Sequence, residues 1–447
     1  MRGNRIKIYN TKTLQKEKFV PIKPNEVMMY VCGPTVYNDV HIGNIRPVVV
    51  FDTLRRTFEA LGYEVKYVSN YTDVDDKIIN RSKELNISEK ELTDSVIEAY
   101  NKVRDKLNAA KLYKTPRVTE TMDEIIAFID ELVDKGYAYE KDGDVYFRTS
   151  SIKDYGSLSN QNLDDLKVGA RIEENDGKES PLDFALWKKT DTGIKWQTRY
   201  SLGRPGWHTE CVVMINKELG SLIDIHGGGK DLKFPHHENE RAQSMAINNS
   251  PLANYWMHSG MIDINGVKMS KSLGNFITAK DIMEKVDPMV LRWFLLSAHY
   301  RDDINVSDEI IQSNQVELNK VLTCLKQALV KLSLNDIKND EYDKESYEKF
   351  MEAMEDDLNT PNAYAVIFEI VKIINQKLRE KEVDYTLLNK YTNSLKKCLD
   401  VLGIVYPSIN LSDEDKIIYK EWMDAKKDKN FDKADEYRKV LMDKGIL

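Results

Sequence analysis

The sequence predicts an α/β fold in which a doubly wound parallel sheet is split by an insertion and followed by a mostly α-helical C-terminal half. Three observations carry that expectation. An apolar run, Val27–Val31, passes through Cys32-Gly33-Pro34 into a helical pattern of Val48, Phe51, Leu54, Phe58 and Leu61, and an alternating segment, Val65–Tyr71, follows. Strand, helix and strand in that order make a right-handed βαβ unit. At Thr119 the pattern changes, and sheet-like segments resume only near Gly206-Trp207-His208. Beyond Ala279 apolar residues recur at helical spacing almost to the end.

Taken in order, Gly62 stops the first helix, the segment 65–71 ends in Asn70-Tyr71-Thr72-Asp73, and helices run from about Val74 to Leu112. A helix opening at Thr119 (Ile125, Ile126, Ile129, Leu132, Val133) stops at Gly136. A hairpin follows, turned at Asp142-Gly143 and lined by Tyr137, Tyr139, Tyr146 and Phe147. Residues 173–181 (EENDGKESP) read as an exposed loop. Asp224-Ile225-His226 enters Gly227-Gly228-Gly229, a flexible turn or a place of close approach, and FPHHENE opens a helix at Phe234. Residues 258–275 read as a hairpin turned at Asn265-Gly266 and ending in a polar loop. Residues 335–346 read as a linker, and 414–444 as a charged helical pair. The expected boundaries are 1–118 and 197–257 for the two sheet halves, 119–196 for the insertion, and 258–315, 316–405 and 406–447 for the rest.

Composition limits the function classes. A chain of 447 residues exceeds one core and predicts two to four domains. Mean hydropathy is −0.52, no apolar run approaches a membrane span, and the first residues lack a signal-like apolar core. Four widely spaced cysteines argue against a disulfide framework and for a metal or core role in the reducing cytoplasm. A net charge of −8 argues against a general polyanion binder, leaving nucleic-acid contact to local basic patches. The seven histidines are unevenly placed: five fall between 208 and 258, beside Cys211, and His41 lies near Cys32.

Two constellations carry chemistry. His236 and Glu240, four apart in a helical stretch, share a face; with Cys32 and Cys211 they would complete a tetrahedral donor set for zinc. By spacing alone, small core cysteines and a solvated His-Glu face read equally well. Cys324 and Cys398 lie on apolar helical faces and read as core. The second constellation is phosphate-directed. His41-Ile42-Gly43-Asn44 starts a helix, where anions bind, and Lys268-Met269-Ser270-Lys271-Ser272 sets two ammonium groups on a loop, suited to charge developing in phosphoryl transfer. A GxxxxGK[ST] loop is absent, which excludes a Walker-type NTPase. Trp207 fits a pocket wall or a core position.

Together the motifs resemble the cysteinyl-tRNA synthetase family of class I aminoacyl-tRNA synthetases. Nine pieces match in register: CGPTVYNDVHIGN, NYTDVDDKI, DFALWK, GRPGWHTEC, IHGGGKDLKFPHHENE, KMSKSLGN, LRWFLLSAHYR, DDLNTPNA and KADEYRKVLMDKGI. The resemblance implies a Rossmann-type catalytic domain split by a connective insertion (119–196), a stem-contact segment with the KMSKS loop (258–315), a helical bundle (316–405) and a shortened anticodon-binding region (406–447). It implies one zinc ion on Cys32, Cys211, His236 and Glu240 that takes the substrate as its thiolate, so that serine is rejected without an editing site. It places ATP, as its Mg²⁺ complex, against His41, Gly43, Asn44, Lys268, Ser270 and Lys271, with His41, Lys268 and Lys271 stabilising the transferring phosphate. It lines the amino-acid pocket with Gly33, Thr72, Trp207 and Asp231, and packs His208, His226 and His237 behind the metal ligands. The implied partners are tRNA(Cys), ATP and L-cysteine, and the implied state is a cytoplasmic monomer with no membrane contact.

Three departures stand out. Asn44 replaces the second histidine of the superfamily's HIGH motif, residues 196–200 (WQTRY) lack the usual Ser-Pro-Trp, and the chain stops at Gly445-Ile446-Leu447 where relatives continue. Two alternatives share parts of this pattern. A zinc-dependent cysteine:amino-sugar ligase of the same superfamily would lack the helices from Asn335 onward, and a non-catalytic tRNA-binding paralogue would lose the lysines or ligands.

Overall fold

The computed structural model describes residues 5–160, 178–264, 266–268 and 277–447. They form two units, Met1–Ser307 with Glu355–Leu358, and Asp308–Met354 with Asn359–Leu447. Residues 173–177 of the expected exposed loop, Asn265 of the expected turn and the polar loop at 269–275 lie outside the described residues.

The first unit opens with an antiparallel pair, β1 (Lys7–Asn10) and β2 (Gln15–Lys18). Strand β3 (Glu26–Val31) is buried from Val27 onward, which is why it reads as an unbroken apolar run. The Asp224 carboxylate fixes its entry by accepting from the Ile22 and Met28 amides, both at 2.7 Å. Helix α1 (Ile42–Ala60) starts in a capping box: His41 Nδ1 accepts from the Gly43 amide at 3.1 Å, and Asn44 Oδ1 accepts from the His41 amide at 3.2 Å. Strand β4 (Glu64–Val68) then lies parallel to β3. Helices α2 (Asp76–Leu85), α3 (Glu89–Lys106) and α4 (Met122–Asp134) follow.

The chain then leaves the parallel sheet. Strands β5 (Ala138–Lys141), β6 (Asp144–Phe147), β7 (Phe184–Lys189), β8 (Trp196–Gln197) and β9 (Leu202–Pro205) form an antiparallel sheet in the order β5-β6-β7-β9-β8. Its first hairpin turns at Asp142 (φ +54°) and Gly143 (φ +93°), as the Asp-Gly pair predicts.

Helix α5 (Glu210–Glu218), strand β10 (Ile223–Gly229), helix α6 (Glu238–Asn248) and strand β11 (Ala253–Ser259) complete the first sheet, in the order β11-β10-β3-β4 and parallel throughout. Strands from before and after the insertion therefore meet at β3 and β10. The strand order reverses there, and the crevice at their carboxyl ends is the ligand position of such sheets.

Two differences from the sequence reading have physical causes. Residues 253–259 form a parallel strand at the edge of the first sheet, and the hairpin is confined to β12 (Ile262–Ile264) and β13 (Val267–Lys268); β11 lacks clean alternation because both its faces are buried. Strand β14 (Ile304–Val306), in a stretch expected to be helical, pairs with β12 in parallel; three residues are too few to show a period. Between them lie α7 (Ala279–Lys285) and α8 (Pro288–Leu295). Arg292 of α8 anchors α1: its buried guanidinium donates to Asp52 at 2.6 Å and to the Leu107 carbonyl at 2.8 Å. Burial alone would raise the Asp52 carboxyl, but Arg292 and Arg56 outweigh it and hold it below its ordinary value.

The second unit is helical: α9 (Asp308–Leu334), α10 (Lys344–Glu355), α11 (Thr360–Leu378), α12 (Tyr385–Leu402), α13 (Asp413–Lys427) and α14 (Phe431–Asp443). Helix α9 packs on α11 and α12, with Cys324 and Cys398 buried in the core as their apolar faces predict. Among the described residues no helix is long and apolar enough to cross a membrane.

Candidate active site

Four elements of the first unit deliver the metal-ligand candidates to one point. Cys32 follows β3, Cys211 lies in the first turn of α5, and Glu240 in the first turn of α6. His236 sits in the turn just before α6, where Phe234 is extended (φ −140°, ψ 135°), as the residue before Pro235 should be. This moves the start of the regular helix from the expected Phe234 to Glu238.

Cys32 Sγ is 3.7 Å from Cys211 Sγ and 3.4 Å from Glu240 Oε1, and Cys211 Sγ is 3.7 Å from His236 Nε2. Zinc bond lengths of about 2.0–2.3 Å give tetrahedron edges of about 3.3–3.8 Å. These three separations lie in that range; the fourth, His236 Nε2 to Glu240 Oε1 at 2.7 Å, is a hydrogen bond that an ion would replace. All four donor atoms lie within 4.8 Å of one another, and the cysteines are free thiols.

The charges of the cluster also favour a cation. The hydrogen bond from Cys32 lowers the Cys211 thiol to about 6, while burial pushes Cys32 well up. Burial opposes charge on His236, but Glu240 and Cys211 outweigh it and raise the imidazole to about 10. Burial likewise works against ionised Glu240, yet His226 and His236 hold it well below the usual range. A thiolate and a carboxylate thus share a buried point where an imidazolium supplies the balancing charge.

Further histidines close round the cluster. His226 Nε2 is 2.6 Å from Glu240 Oε2, His208 Nδ1 is 3.0 Å from His236 Nδ1, and His237 Nε2 is 3.4 Å from Cys32 Sγ. Burial holds His208 and His237 well below the ordinary imidazole value. His258 and Thr11, given no role from the sequence, continue the chain: His237 Nδ1 meets His258 Nε2 at 2.8 Å, and His258 Nδ1 meets Thr11 Oγ1 at 2.8 Å. Histidine clustering pointed to His258; Thr11 carried no signal. The glycines of β10 prove to be places of close approach: a Cβ on Gly227 would lie 2.3 Å from the Phe51 ring, and one on Gly228 2.9 Å from His237 Cε1.

From this cluster a cleft of about 360 Å³ runs along the carboxyl end of β3 to the start of α1. Cys32, Gly33, Trp207 and Asp231 line one part, and His41, Gly43, Asn44 and Met261 another. Trp207 is 40% exposed and stacks on His236 at 4.3 Å, which makes it a wall rather than core. Gly33 donates its amide to Asn70 Oδ1 at 2.9 Å, and a Cβ there would lie 1.7 Å from the Asn70 carbonyl oxygen. Thr72 does not line the cleft. It sits behind, accepting from Asn70 Nδ2 at 3.1 Å and giving its amide to the Pro34 carbonyl at 3.1 Å. The backbone of Lys268 lies in β13, while Ser270 and Lys271 lie outside the described residues.

The family model for the tRNA synthetases class I (C) catalytic domain matches residues 18–316, and the DALR domain matches residues 349–406. A cysteine–tRNA ligase from Geobacillus sp. (strain WCH70) is 48% identical over 450 residues, spanning 99% of this chain and 97% of that protein. One from Staphylococcus haemolyticus (strain JCSC1435) is 50% identical over 455 residues, with the same shares of 99% and 97%. Among solved structures, Mycobacterium tuberculosis methionyl-tRNA synthetase in complex with methionyl-adenylate superposes with a TM-score of 0.59 at 14% identity, covering 84% of this chain and 89% of that one, a likeness of fold. The chain therefore belongs to the cysteine–tRNA ligases, ATP-dependent enzymes of the class I aminoacyl-tRNA synthetases.

Proposed function

We propose that the cleft activates L-cysteine with Mg-ATP and passes the cysteinyl group to tRNA(Cys), with the side-chain sulfur read at the Cys32–Cys211–His236–Glu240 cluster. One observation carries this reading: a soft, buried donor set and a helix N-terminus lie along one cleft, so that a cysteine held by its sulfur at one would present its carboxylate toward a phosphate at the other. A zinc ion held by those four residues would bind the substrate as thiolate and discriminate against serine, whose hydroxyl is a far poorer soft ligand.

The chain's own residues do the rest. Gly33, Trp207 and Asp231 enclose the amino acid, and Thr72 acts one layer back by orienting Asn70, which holds the Gly33 amide. A carboxylate oxygen of cysteine attacks the α-phosphorus of ATP, forming cysteinyl-adenylate and releasing pyrophosphate. With Nδ1 accepting from Gly43, neutral His41 carries its proton on Nε2 and donates it to a phosphate oxygen. Gly43 and Asn44 admit the nucleotide, and Lys268, Ser270 and Lys271 supply ammonium and hydroxyl groups to its phosphates. The 2′-hydroxyl of the terminal adenosine then attacks the acyl carbon and AMP leaves. The enzyme acts as a monomer, with residues 406–447 on the anticodon region of the tRNA.

Two assays test the proposal: cysteine-dependent exchange of pyrophosphate into ATP, and charging of full-length tRNA(Cys). Both activities are expected, and both should fall after chelation and return with zinc. No exchange with zinc present overturns the reading; exchange without charging points to transfer to a smaller acceptor such as an amino sugar.

A further inference from the structure

We propose that the histidines around the cluster form a second, overlapping metal seat, made by Cys32, His226, His237 and Glu240, that retains a divalent ion of zinc-like softness when Cys211 or His236 is lost. The inference rests on the reading of the cluster as a metal site. It shares Cys32 and Glu240 with the first seat and exchanges a thiolate and an imidazole for two imidazoles.

Three observations support it. The four donor atoms lie within 4.8 Å of one another, inside the same bound as the first set. Cys32 Sγ to His237 Nε2 and Cys32 Sγ to Glu240 Oε1 are both 3.4 Å, within the edge lengths of a tetrahedron with bonds of the zinc kind. His237 is also held as a ligand histidine is held, from behind: its Nδ1 rests on His258, which rests on Thr11, each at 2.8 Å, so that Nε2 is aimed at the Cys32 sulfur. The backbone makes room for that ring at Gly228, where a Cβ would lie 2.9 Å from it. His226 is fixed by stacking on Trp256 at 4.6 Å and 15°.

Charge keeps the second seat competent once a ligand of the first is gone. In the first seat two thiolates and a carboxylate surround a dication, leaving a net negative charge out of water. In the second, one thiolate and one carboxylate balance the dication, and a neutral assembly escapes the penalty of burying net charge. With an imidazole in place of one thiolate it is also the harder site, which suits zinc and cobalt better than softer metals.

The test is cobalt(II) binding to the chelator-stripped full chain, read by charge-transfer and d–d absorption. Wild type should bind one ion with two thiolates. Cys211→Ser should still bind one ion, with about half the sulfur-to-cobalt intensity because one thiolate remains. His237→Gln should weaken binding by no more than about 100-fold in the wild-type background, the effect of a group behind a ligand. The same change should abolish binding in the Cys211→Ser background. Loss of the ion from Cys211→Ser, or an equal effect of His237→Gln in both backgrounds, overturns the second seat. Failure of wild type to bind cobalt overturns the metal-site reading itself. If Cys211→Ser does not fold, His236→Gln replaces it with the same pair of outcomes, except that both thiolates remain.

Discussion

Arg46 braces the start of α1 against the base of the β12–β13 hairpin, and its removal should impair the ATP half of the reaction while sparing the cysteine half. Its side chain is fully buried; Nη1 donates to the Met261 carbonyl at 3.1 Å and Nη2 to the His299 carbonyl at 3.2 Å. Burial lowers its pKa only to about 10, with Asp303 and Asp302 acting the other way, so it is a cation at neutral pH. Met261 lines the cleft and directly precedes β12, whose partner β13 carries Lys268. Arg46→Met keeps an unbranched apolar stem, removes the guanidinium and leaves two carbonyls without their donor. Each hydrogen bond from a charged donor contributes about 1.5–3 kcal/mol, so about 3–6 kcal/mol of local fixation is lost. If about 1.4 kcal/mol of this reaches the transition state, kcat/KM for ATP falls about tenfold. In the exchange assay Arg46→Met should show at least that loss, and Arg46→Lys, able to keep one bond, a smaller one. The KM for cysteine should move less than about twofold, because the guanidinium donates to the Met261 and His299 carbonyls rather than to a cluster residue. An Arg46→Met enzyme with unchanged exchange kinetics and an unchanged melting curve would refute the brace.

Other outcomes follow from single contacts. Gly33→Ala should abolish exchange and lower the melting temperature, since its Cβ would collide with the Asn70 carbonyl 1.7 Å away; overpacking of this kind costs about 1–3 kcal/mol or more. Trp207→Ala removes the ring stacked on His236, an interaction of about 0.5–1.5 kcal/mol, and should weaken zinc up to about tenfold in a chelator competition. Asp415 closes the capping box of α13 with Ser412 and bonds Lys444 at 2.7 Å, which together hold its carboxyl at about 2. Because the folded value is depressed, its stabilisation is complete above the unfolded value and lost as pH falls through the folded one. Asp415→Asn should therefore reduce hydrogen-exchange protection of the α13 amides at pH 7, and the difference from wild type should close between about pH 5 and pH 2. A difference that persists at pH 2 would show that charge is not its source.

What could be read in advance divides along physical lines. Strand β3, helix α1 and the Asp142-Gly143 hairpin rest on local period and turn chemistry, and the sequence carries both. Strand β11 is buried on both faces and β14 has three residues, so neither offers a period to detect. The pairing of His236 with Glu240 is legible as a four-residue spacing, whereas Cys32 and Cys211 are brought together by sheet topology, so that from residues alone a zinc set and small core cysteines read equally well. Thr72 was expected on the pocket wall and lies behind it, because side-chain layer depth depends on how Asn70 and Pro34 pack. Gly227 and Gly228 left a turn and a close approach equally open until Phe51 and His237 were seen pressed against them.

The Cys32–Cys211 contact joins residues 179 positions apart, with the whole antiparallel insertion sheet inside the loop it closes. The entropy of closing a flexible loop grows only with the logarithm of its length, so removing about 60 residues would change that term by only about 0.4 kcal/mol. The insertion is thus thermodynamically almost decoupled in length from the cluster that brackets it. Its strands can be lengthened or trimmed to suit what they contact while the Cys32–Cys211 cluster stays as it is. The order of synthesis sets a second consequence. At about 5–20 residues per second, Cys32 emerges about 10–40 s before Cys211, and the site can assemble only after the insertion has been made.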